Sequence, residues 1–509
     1  MNIKQAKQEI FNTLKAYLAK DELGNYLIPA VRQRPVLLMG PPGIGKTQIM
    51  EQVAAEAGVG LVAYTITHHT RQSAVGLPFI ETRTYGGREF SVTEYTMSEI
   101  LASVYQLMER TGLREGILFL DEINCVSETL APMMLQFLQC KTFGNQRLPE
   151  GWLIAAAGNP PEYNRSVRDF DVVTLDRVKR MDVEEDYAVW REYARRQGVH
   201  GAVVSYLDIK KDHFYWVETT AEGMQFATAR GWEDLSELIC AYERLGLRVS
   251  REVVGQYIQM PRIAKDFANY LELYYKYQRT YHVEDIVSGT WQPITVSELR
   301  AAPFDEKLSV LGLVFSRLSE GARNTRLQDA LTTALHGALT AFRDALPAET
   351  PQAVLSRLIA QRQEDLKRER AAGRLAREAR DLGQREVNAL EGYRQRLAAE
   401  AVPDGEAMDA VRGWFRREVD RRAALGEETG KMFGSAFRFL EETFGEGQEL
   451  VIFVTEVTAG YDTSWFVENF GCEAYFRHNR ELLFDDTRRR IREEIAALKD
   501  GKGEYSQHS

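Results

Sequence analysis

One octapeptide constrains this chain more than any other feature of its sequence. The segment Gly40-Pro41-Pro42-Gly43-Ile44-Gly45-Lys46-Thr47 fits the pattern GxxxxGK[ST], follows an apolar run and precedes a helical stretch. Glycines let the backbone N–H groups of such a turn converge on an anion at the N-terminus of a helix. Lys46 can then reach the β- and γ-phosphates of a nucleotide, and the Thr47 hydroxyl can ligate magnesium. The predicted phosphate-binding residues are Gly40, Pro41, Pro42, Gly43, Ile44, Gly45, Lys46, Thr47 and Gln48.

A pair of acidic residues extends this site. The apolar run at residues 117–120 ends in Asp121 and Glu122, so both carboxylates lie at the end of a predicted strand. Asp121 is expected beside the magnesium ion, and Glu122 can orient and deprotonate the attacking water. This interpretation requires the strand before Lys46 and the strand before Asp121 to be adjacent in the sheet.

A polar amide follows a third apolar run. Residues 153–157 lead into Gly158-Asn159-Pro160. The Asn159 side chain could hold the water or contact the γ-phosphate, but an asparagine before proline also favours a plain turn. The sequence leaves both interpretations open at this position.

The alternation of apolar runs and helical segments predicts the fold of the N-terminal third. Short runs at 36–39, 61–66, 117–120, 153–157 and 181–183 are separated by helical patterns, which is typical of a parallel sheet covered on both faces. Two hairpins are predicted between these elements, at 79–92 around Gly86-Gly87 and at 141–148 around Gly144-Asn145.

Length and composition predict three segments. A chain of 509 residues exceeds one ordinary hydrophobic core. We expect a nucleotide-binding core at 1–185, a helical lid at 186–300 and a mostly helical docking region at 301–509. Within the last segment, residues 351–430 contain 16 basic and 15 acidic residues. This pattern fits either a helical arm that contacts a partner or a solvated helix face with mixed-sign ion pairs.

The charge balance argues against several classes of partner. The chain has 64 basic and 74 acidic residues, a net charge of −10, so bulk nucleic-acid binding is not expected. Its first twenty residues form an amphipathic, charged pattern rather than the apolar core of a signal peptide. No stretch approaches eighteen apolar residues, so we expect a cytoplasmic protein without membrane insertion.

The order of the motifs resembles the AAA+ ATPases, and within them the MoxR-like group. The similar segments are GPPGIGKT, ILFLDEIN, AAAGNP, LDR and TARGW, spread over roughly residues 30–285. The resemblance implies an α/β P-loop NTPase core followed by a helical lid. It also implies that Asn159 is sensor 1, Arg230 is sensor 2 and Arg177 is an arginine finger acting across a subunit boundary. The nearby candidates for the finger are Arg165, Arg168 and Arg180.

The resemblance further implies an activity and partners. A member of this group would bind ATP and Mg²⁺, hydrolyse ATP in a ring that is expected to be hexameric, and remodel or activate a protein partner, with a von Willebrand factor A-type domain as a candidate. The two hairpins would line a central pore. Phe143 is a candidate contact there, and the alternative is an aromatic side chain that is merely packed. The alternatives are a motor subunit of a nucleic-acid-acting restriction or defence complex, and a scaffold that binds nucleotide only for assembly.

Overall fold

The computed structural model describes residues 1–480 except 69–71, 73, 75, 144–145, 164–166, 168–169, 221–222 and 373–376. The strands are β1 (Val36–Met39), β2 (Gly60–Thr65), β3 (Pro78–Tyr85), β4 (Arg88–Tyr95), β5 (Gly116–Asp121), β6 (Thr142–Phe143), β7 (Gln146–Arg147), β8 (Trp152–Gly158), β9 (Lys179–Asp182), β10 (Trp216–Thr220) and β11 (Gly223–Ala227).

The helices extend over the whole described chain. They are α1 (Ile3–Leu18), α2 (Lys46–Ala57), α3 (Glu99–Thr111), α4 (Ala131–Cys140), α5 (Val172–Leu175), α6 (Tyr187–Gln197), α7 (Gly201–Ile209), α8 (Ala229–Leu245), α9 (Arg251–Tyr257), α10 (Pro261–Thr280), α11 (Val283–Ser288), α12 (Pro293–Ala301), α13 (Phe304–Ala345), α14 (Pro351–Ala371), α15 (Arg377–Ala399), α16 (Ala407–Phe444), α17 (Gln448–Ala459) and α18 (Tyr461–Phe470). Short 3-10 turns lie at Ala30–Arg32, Ile66–His68, Lys211–His213 and Asp404–Glu406.

Two compact units alternate along the sequence. The first unit consists of Met1–Trp190, Phe214–Trp232 and Glu349–Gln395. The second consists of Arg191–His213, Glu233–Ala348 and the described residues from Arg396 onward. The boundaries at 185 and 300 concern domains that fold separately, and they stay a prediction.

A five-stranded parallel sheet forms the centre of the first unit, in the order β2-β5-β8-β1-β9. Alternate residues of its strands face opposite sides, as the pleat requires. Leu37 and Leu118 pack with α3 and α4 on one face, while Val36 and Ile117 pack with α1 and α2 on the other. The predicted parallel sheet with two covered faces is therefore confirmed.

The sheet order corrects one expectation. β8 pairs with both β1 and β5, so the strand before Lys46 and the strand before Asp121 are not adjacent. The two strands nevertheless end at the same edge, because all pairings in this sheet are parallel. β8 ends in Gly158, where an added Cβ would lie 2.6 Å from the amide oxygen of Asn124, so the glycine leaves room for this side chain.

Both predicted hairpins are present. β3 pairs antiparallel with β4, and their turn holds Gly86 and Gly87 at φ +60° and +80°, a left-handed conformation that favours glycine. β6 pairs antiparallel with β7 around the two undescribed residues 144–145. A third hairpin, β10–β11, lies in the segment predicted as a helical lid.

The second unit is built from helices. Its longest helices, α13 with 42 residues and α16 with 38, pack against each other. Thr325 of α13 and Thr429 of α16 share a buried hydrogen bond of 3.0 Å between their hydroxyl oxygens. The predicted largely helical C-terminal region is confirmed for the residues described.

Helix α14, which lies in the charged region 351–430 and belongs to the first unit, packs against α3 and the edge of the sheet. The carbonyl of Ala372, at the end of α14, accepts hydrogen bonds from the Leu61 N–H of the edge strand β2 at 3.3 Å. The neighbouring Ala371 carbonyl accepts from Arg110 of α3 at 2.8 Å. Ala372 and Leu355 are fully buried. An edge strand has unpaired N–H groups, and here the end of a helix covers part of it.

Across the described part of the chain, every helix is too short or too polar to cross a bilayer.

Candidate active site

The glycine-rich turn lies between β1 and α2, at the carboxyl end of the sheet. Gly43 and Gly45 have φ values of +77° and +92°, a left-handed conformation in which an L side chain would be strained. α2 begins at Lys46, so Thr47 and Gln48 belong to its first turn. The free N–H groups of that turn, together with the helix dipole, favour an anion at this point.

Lys46 is buried at the base of this turn. Its side chain is only 8% exposed, and its ammonium group donates to the carbonyls of Gly40 at 2.7 Å and Pro41 at 2.8 Å. It also donates to Oδ1 of Asn159 at 2.8 Å. Lys46 and Asn159 are 113 positions apart in sequence, and the sheet brings them into direct contact.

Burial dominates the electrostatics of Lys46. It lowers the pKa of this lysine to about 8, although the nearby carboxylate of Asp121 acts in the opposite direction. The positive charge of Arg230 lowers the pKa further, and Glu122 raises it. Desolvation therefore destabilises the charged form of Lys46, and the nearby carboxylates offset this cost only in part.

The two acidic residues take different positions at the end of β5. Asp121 accepts a hydrogen bond from the Thr47 hydroxyl at 2.9 Å, so the two predicted metal ligands are in contact. Glu122 has φ +57°, which is uncommon for a residue with a side chain, and its carboxylate accepts from the Thr67 hydroxyl at 2.8 Å. Sequence reasoning missed Thr67, which lies in the 3-10 turn directly after β2.

Asn159 is fixed by a second asparagine that the sequence analysis did not single out. The buried side chain of Asn124 donates to the Asn159 carbonyl at 2.8 Å and accepts from the Asn159 N–H at 3.3 Å. A Cβ atom added at Gly158 would lie 2.6 Å from the Asn124 amide oxygen, so this pairing requires glycine before Asn159. Asn124 follows directly from the acidic motif, and its proximity to Glu122 in sequence was the available signal.

Arg230 lies in the first turn of α8, next to the phosphate loop. The ideal Cβ position of Gly43 is 3.4 Å from Cβ of Thr228 and 3.5 Å from Cβ of Arg230. The Thr228 hydroxyl accepts from the Gly231 N–H at 3.2 Å and so caps the start of this helix. The Arg230 side chain is exposed. The structure therefore brings the predicted second sensor to the loop.

Arg177 is not part of this cluster. Its exposed guanidinium donates to the Gln139 side chain of α4, and Arg180 pairs with Asp182 at 2.8 Å. The other two candidate fingers, Arg165 and Arg168, lie outside the described residues.

Of the two interpretations of Phe143, a pore contact or a packed aromatic side chain, the described structure favours the packed one. Phe143 is 2% exposed and stacks on Phe137 of α4, with ring centroids 4.0 Å apart. Its large apolar ring is stabilised by burial against the core instead. The exposed apolar side chains lie on the other hairpin, and they include Phe79, Ile80, Tyr85 and Phe90.

The donor set fits a nucleotide with magnesium. Thr47 and Asp121 supply oxygen ligands, which Mg²⁺ prefers, and they lie beside the one buried ammonium group of the loop. The glycines leave the backbone accessible to phosphate oxygens. Glu122 follows Asp121 directly in the chain, and its carboxylate accepts a hydrogen bond from the neutral hydroxyl of Thr67.

A match to a known protein family agrees with this geometry. Residues 36–175 match the family described as "ATPase family associated with various cellular activities (AAA)". Among solved structures, one match is the crystal structure of NtrX from Brucella abortus in complex with ADP, at 17% sequence identity and a TM-score of 0.24. That match covers 40% of this chain and 44% of the NtrX chain. A comparison with curated proteins gives no match.

Proposed function

We propose that this chain, which carries an AAA ATPase domain at residues 36–175, hydrolyses ATP in a ring of identical subunits and uses the energy to remodel or activate a protein partner, as a MoxR-like ATPase. The observation that carries the proposal is the meeting of Lys46, Asn159, Thr47 and Asp121 at one edge of the sheet. Lys46 contacts Asn159 at 2.8 Å and Thr47 contacts Asp121 at 2.9 Å. Three separate segments of sequence contribute to this cluster.

Each residue has a role in the proposal. Lys46 and the loop N–H groups bind the β- and γ-phosphates, while Thr47 and Asp121 would hold Mg²⁺. When bound, the metal ion supplies positive charge that offsets the charge developing on the phosphoryl oxygens. Glu122 accepts a proton from the attacking water, and Asn159 orients that water. Arg230 stabilises the phosphates from the lid side.

The contact between Glu122 and Thr67 supports a further feature of this mechanism. The carboxylate of Glu122 accepts a hydrogen bond from Thr67 at 2.8 Å through Oε2, which uses one of its several lone pairs. Glu122 can act as a base through its remaining lone pairs while the Thr67 hydroxyl holds the side chain in place. The left-handed φ of Glu122 is unfavourable for a residue with a side chain. The surrounding contacts therefore have to hold its backbone in this conformation.

Arg177 is proposed to act on the site of a neighbouring subunit. A guanidinium is always charged and can stabilise the transferring phosphoryl group. The exposure of Arg177 and its bond to Gln139, rather than to a residue of its own phosphate loop, support an action in trans. Ring assembly, with six subunits as the expected number, follows from that requirement.

The charged region favours a protein over a nucleic acid as the partner. Arg357 pairs with Glu349 at 3.1 Å and Arg362 pairs with Glu386 at 2.8 Å, while Arg394 pairs with Glu391. Arginines engaged with carboxylates in the same molecule are poorly placed to neutralise phosphates. A partner with a von Willebrand factor A-type domain is the candidate that the family resemblance gives.

Nucleic-acid stimulation separates this proposal from the motor of a defence complex. The rate of ATP hydrolysis is measured with single-stranded DNA, double-stranded DNA and RNA, each at two salt concentrations. We expect none of the three to raise the rate. Strong stimulation that weakens as salt increases would contradict the remodelling function, because counterion release makes phosphate contacts salt-dependent.

A further inference from the structure

The two prolines of the phosphate loop make one backbone N–H unusually important. Proline has no N–H, so Pro41 and Pro42 cannot donate to a phosphate. Gly43 therefore carries the first N–H after Gly40 that can point into the cradle. The direction of this N–H is set by the peptide unit that joins Pro42 to Gly43.

The carbonyl of the same peptide unit is anchored from outside the loop. The Tyr215 hydroxyl donates a hydrogen bond to the Pro42 carbonyl at 3.0 Å. In a planar trans peptide, the C=O and the following N–H point in opposite directions. Holding the Pro42 carbonyl toward Tyr215 thus directs the Gly43 N–H to the opposite side of the loop.

The two preceding carbonyls are held differently. Those of Gly40 and Pro41 accept from the Lys46 ammonium at 2.7 and 2.8 Å. Lys46 has to contact phosphates in the proposed mechanism, whereas the Tyr215 hydroxyl is a neutral donor with no such second task. Burial raises the pKa of Tyr215, so the hydroxyl keeps its proton at physiological pH. The Pro42 anchor can therefore persist when Lys46 changes partner.

Tyr215 is itself rigidly placed. The preceding ring, Phe214, is buried against Trp190 with centroids 5.0 Å apart, and its carbonyl accepts from the indole N–H of Trp232 at 3.1 Å. The Tyr215 ring packs edge-to-face on Tyr163 at 6.4 Å. Trp232 is completely buried and lies two positions after Arg230. The segment that carries the second sensor thus also carries the anchor of the loop.

We infer that Tyr215 is a positioning residue for phosphate binding, which holds the Pro42–Gly43 peptide so that the Gly43 N–H points at the nucleotide. The inference rests on the proposed nucleotide-binding function. Tyr215 touches the loop and not the phosphates, so its effect should be confined to the Gly43 donor and to nucleotide affinity.

The sequence offers a direct probe of this peptide. Pro42-Gly43 is the one place in the chain where glycine follows proline. Protein labelled with ¹³C at the proline carbonyl and ¹⁵N at glycine therefore gives a single cross-peak in an HNCO spectrum, from the Gly43 amide and the Pro42 carbonyl. Magnesium-ADP serves as the ligand, with affinity measured in parallel by calorimetry.

The variant Tyr215→Phe keeps the ring and removes the hydroxyl. In the wild type we expect saturating ADP to shift the Gly43 amide proton downfield, as a hydrogen bond to phosphate requires. In Tyr215→Phe this shift should fall to less than about half and the Kd should rise about fivefold, as loss of one neutral hydrogen bond implies. Without ligand, the Pro42 carbonyl ¹³C signal should move upfield, because it loses its donor. This second measurement tests the contact itself.

Tyr163→Phe is the matched control, since it removes the neighbouring phenol hydroxyl and keeps the edge-to-face packing. It should leave the Gly43 shift and the Kd unchanged. If Tyr215→Phe shows the same ADP-induced shift of the Gly43 amide proton and the same Kd as the wild type, the role of Tyr215 is overturned. Failure of the wild type to bind ADP would instead overturn the proposed function, and the inference with it.

Discussion

At the scale of single residues, burial and neighbouring charges have opposing effects on the positive charge of Lys46. The loop needs a cation that reaches phosphate oxygens, but burial to 8% exposure penalises that cation. Asp121 and Glu122 favour the charge and Arg230 opposes it, and the outcome is a pKa lowered to about 8. A lysine in this state can gain a proton when an anion arrives, because the phosphates stabilise its charged form.

This competition predicts a pH dependence of nucleotide binding. Above about pH 8 the unliganded lysine is increasingly neutral, whereas bound phosphates raise its pKa again. Binding at pH 8.5 should therefore take up protons, and affinity should fall by up to about tenfold per pH unit above that point. Calorimetry in two buffers of different ionisation enthalpy measures the uptake.

Lys141 provides the control for this measurement. Burial also lowers the pKa of Lys141 to about 8, but Lys141 lies at the end of α4 and not in the phosphate loop. Its backbone has φ +57°, a conformation that asparagine readily adopts at the end of a helix. Lys141→Asn should leave the proton uptake unchanged. A nucleotide affinity that is constant from pH 7.5 to 9.5 would contradict the assignment of Lys46.

Sequence could predict the residues of the site that belong to local motifs, but not those that join it through long-range contacts. Lys46, Thr47 and Asp121 follow from spacing and from the strands that precede them. Thr67 contacts Glu122 across 55 positions and Tyr215 contacts Pro42 across 173. A threonine in a turn or a tyrosine before a strand is ordinary in any sequence, and only the tertiary fold shows what each one bonds.

At the scale of secondary-structure elements, short apolar runs were informative because the strands are buried on both faces. The run at 61–66 corresponds to β2 within one residue at each end. The position of β8 between β1 and β5 could not be predicted, since strand order depends on pairings between distant segments. The same limit applies to α14. Its composition fitted either an arm that contacts a partner or a solvated helix face, and neither alternative included the buried packing of Leu355.

The packing of α14 makes a prediction about stability. Leu355 is completely buried in this helix, whereas Arg357, two positions later, is exposed and paired with Glu349. Leu355→Ala should lower the free energy of unfolding by about 2–5 kcal/mol, because it leaves a cavity. Arg357→Ala should cost no more than about 1 kcal/mol, as for other surface ion pairs.

Urea denaturation of the full chain, followed by circular dichroism, compares these two variants. Equal and small effects would mean that α14 does not pack as a structural part of the first unit. In that case the contact between Ala372 and the edge strand β2 would contribute little to the fold.

At the scale of the whole molecule, the proposed ring makes each active site depend on two subunits. Arg177→Ala and Glu122→Gln should each inactivate a uniform assembly. Mixing the two should restore part of the activity, since some interfaces then join an intact Glu122 to an intact Arg177. If no mixing ratio exceeds the uniform variants, the finger is another arginine, with Arg180 as the next candidate.

The central claim is that one site binds ATP through Lys46 and hydrolyses it through Glu122. The most direct test measures ATP binding and phosphate release side by side in Lys46→Ala and Glu122→Gln. We predict that Lys46→Ala abolishes binding, because it removes the buried cation of the cradle. Glu122→Gln should bind ATP with nearly wild-type affinity and lose hydrolysis by about 10²- to 10⁴-fold. Loss of binding in both variants, or hydrolysis at the wild-type rate in Glu122→Gln, would contradict the account.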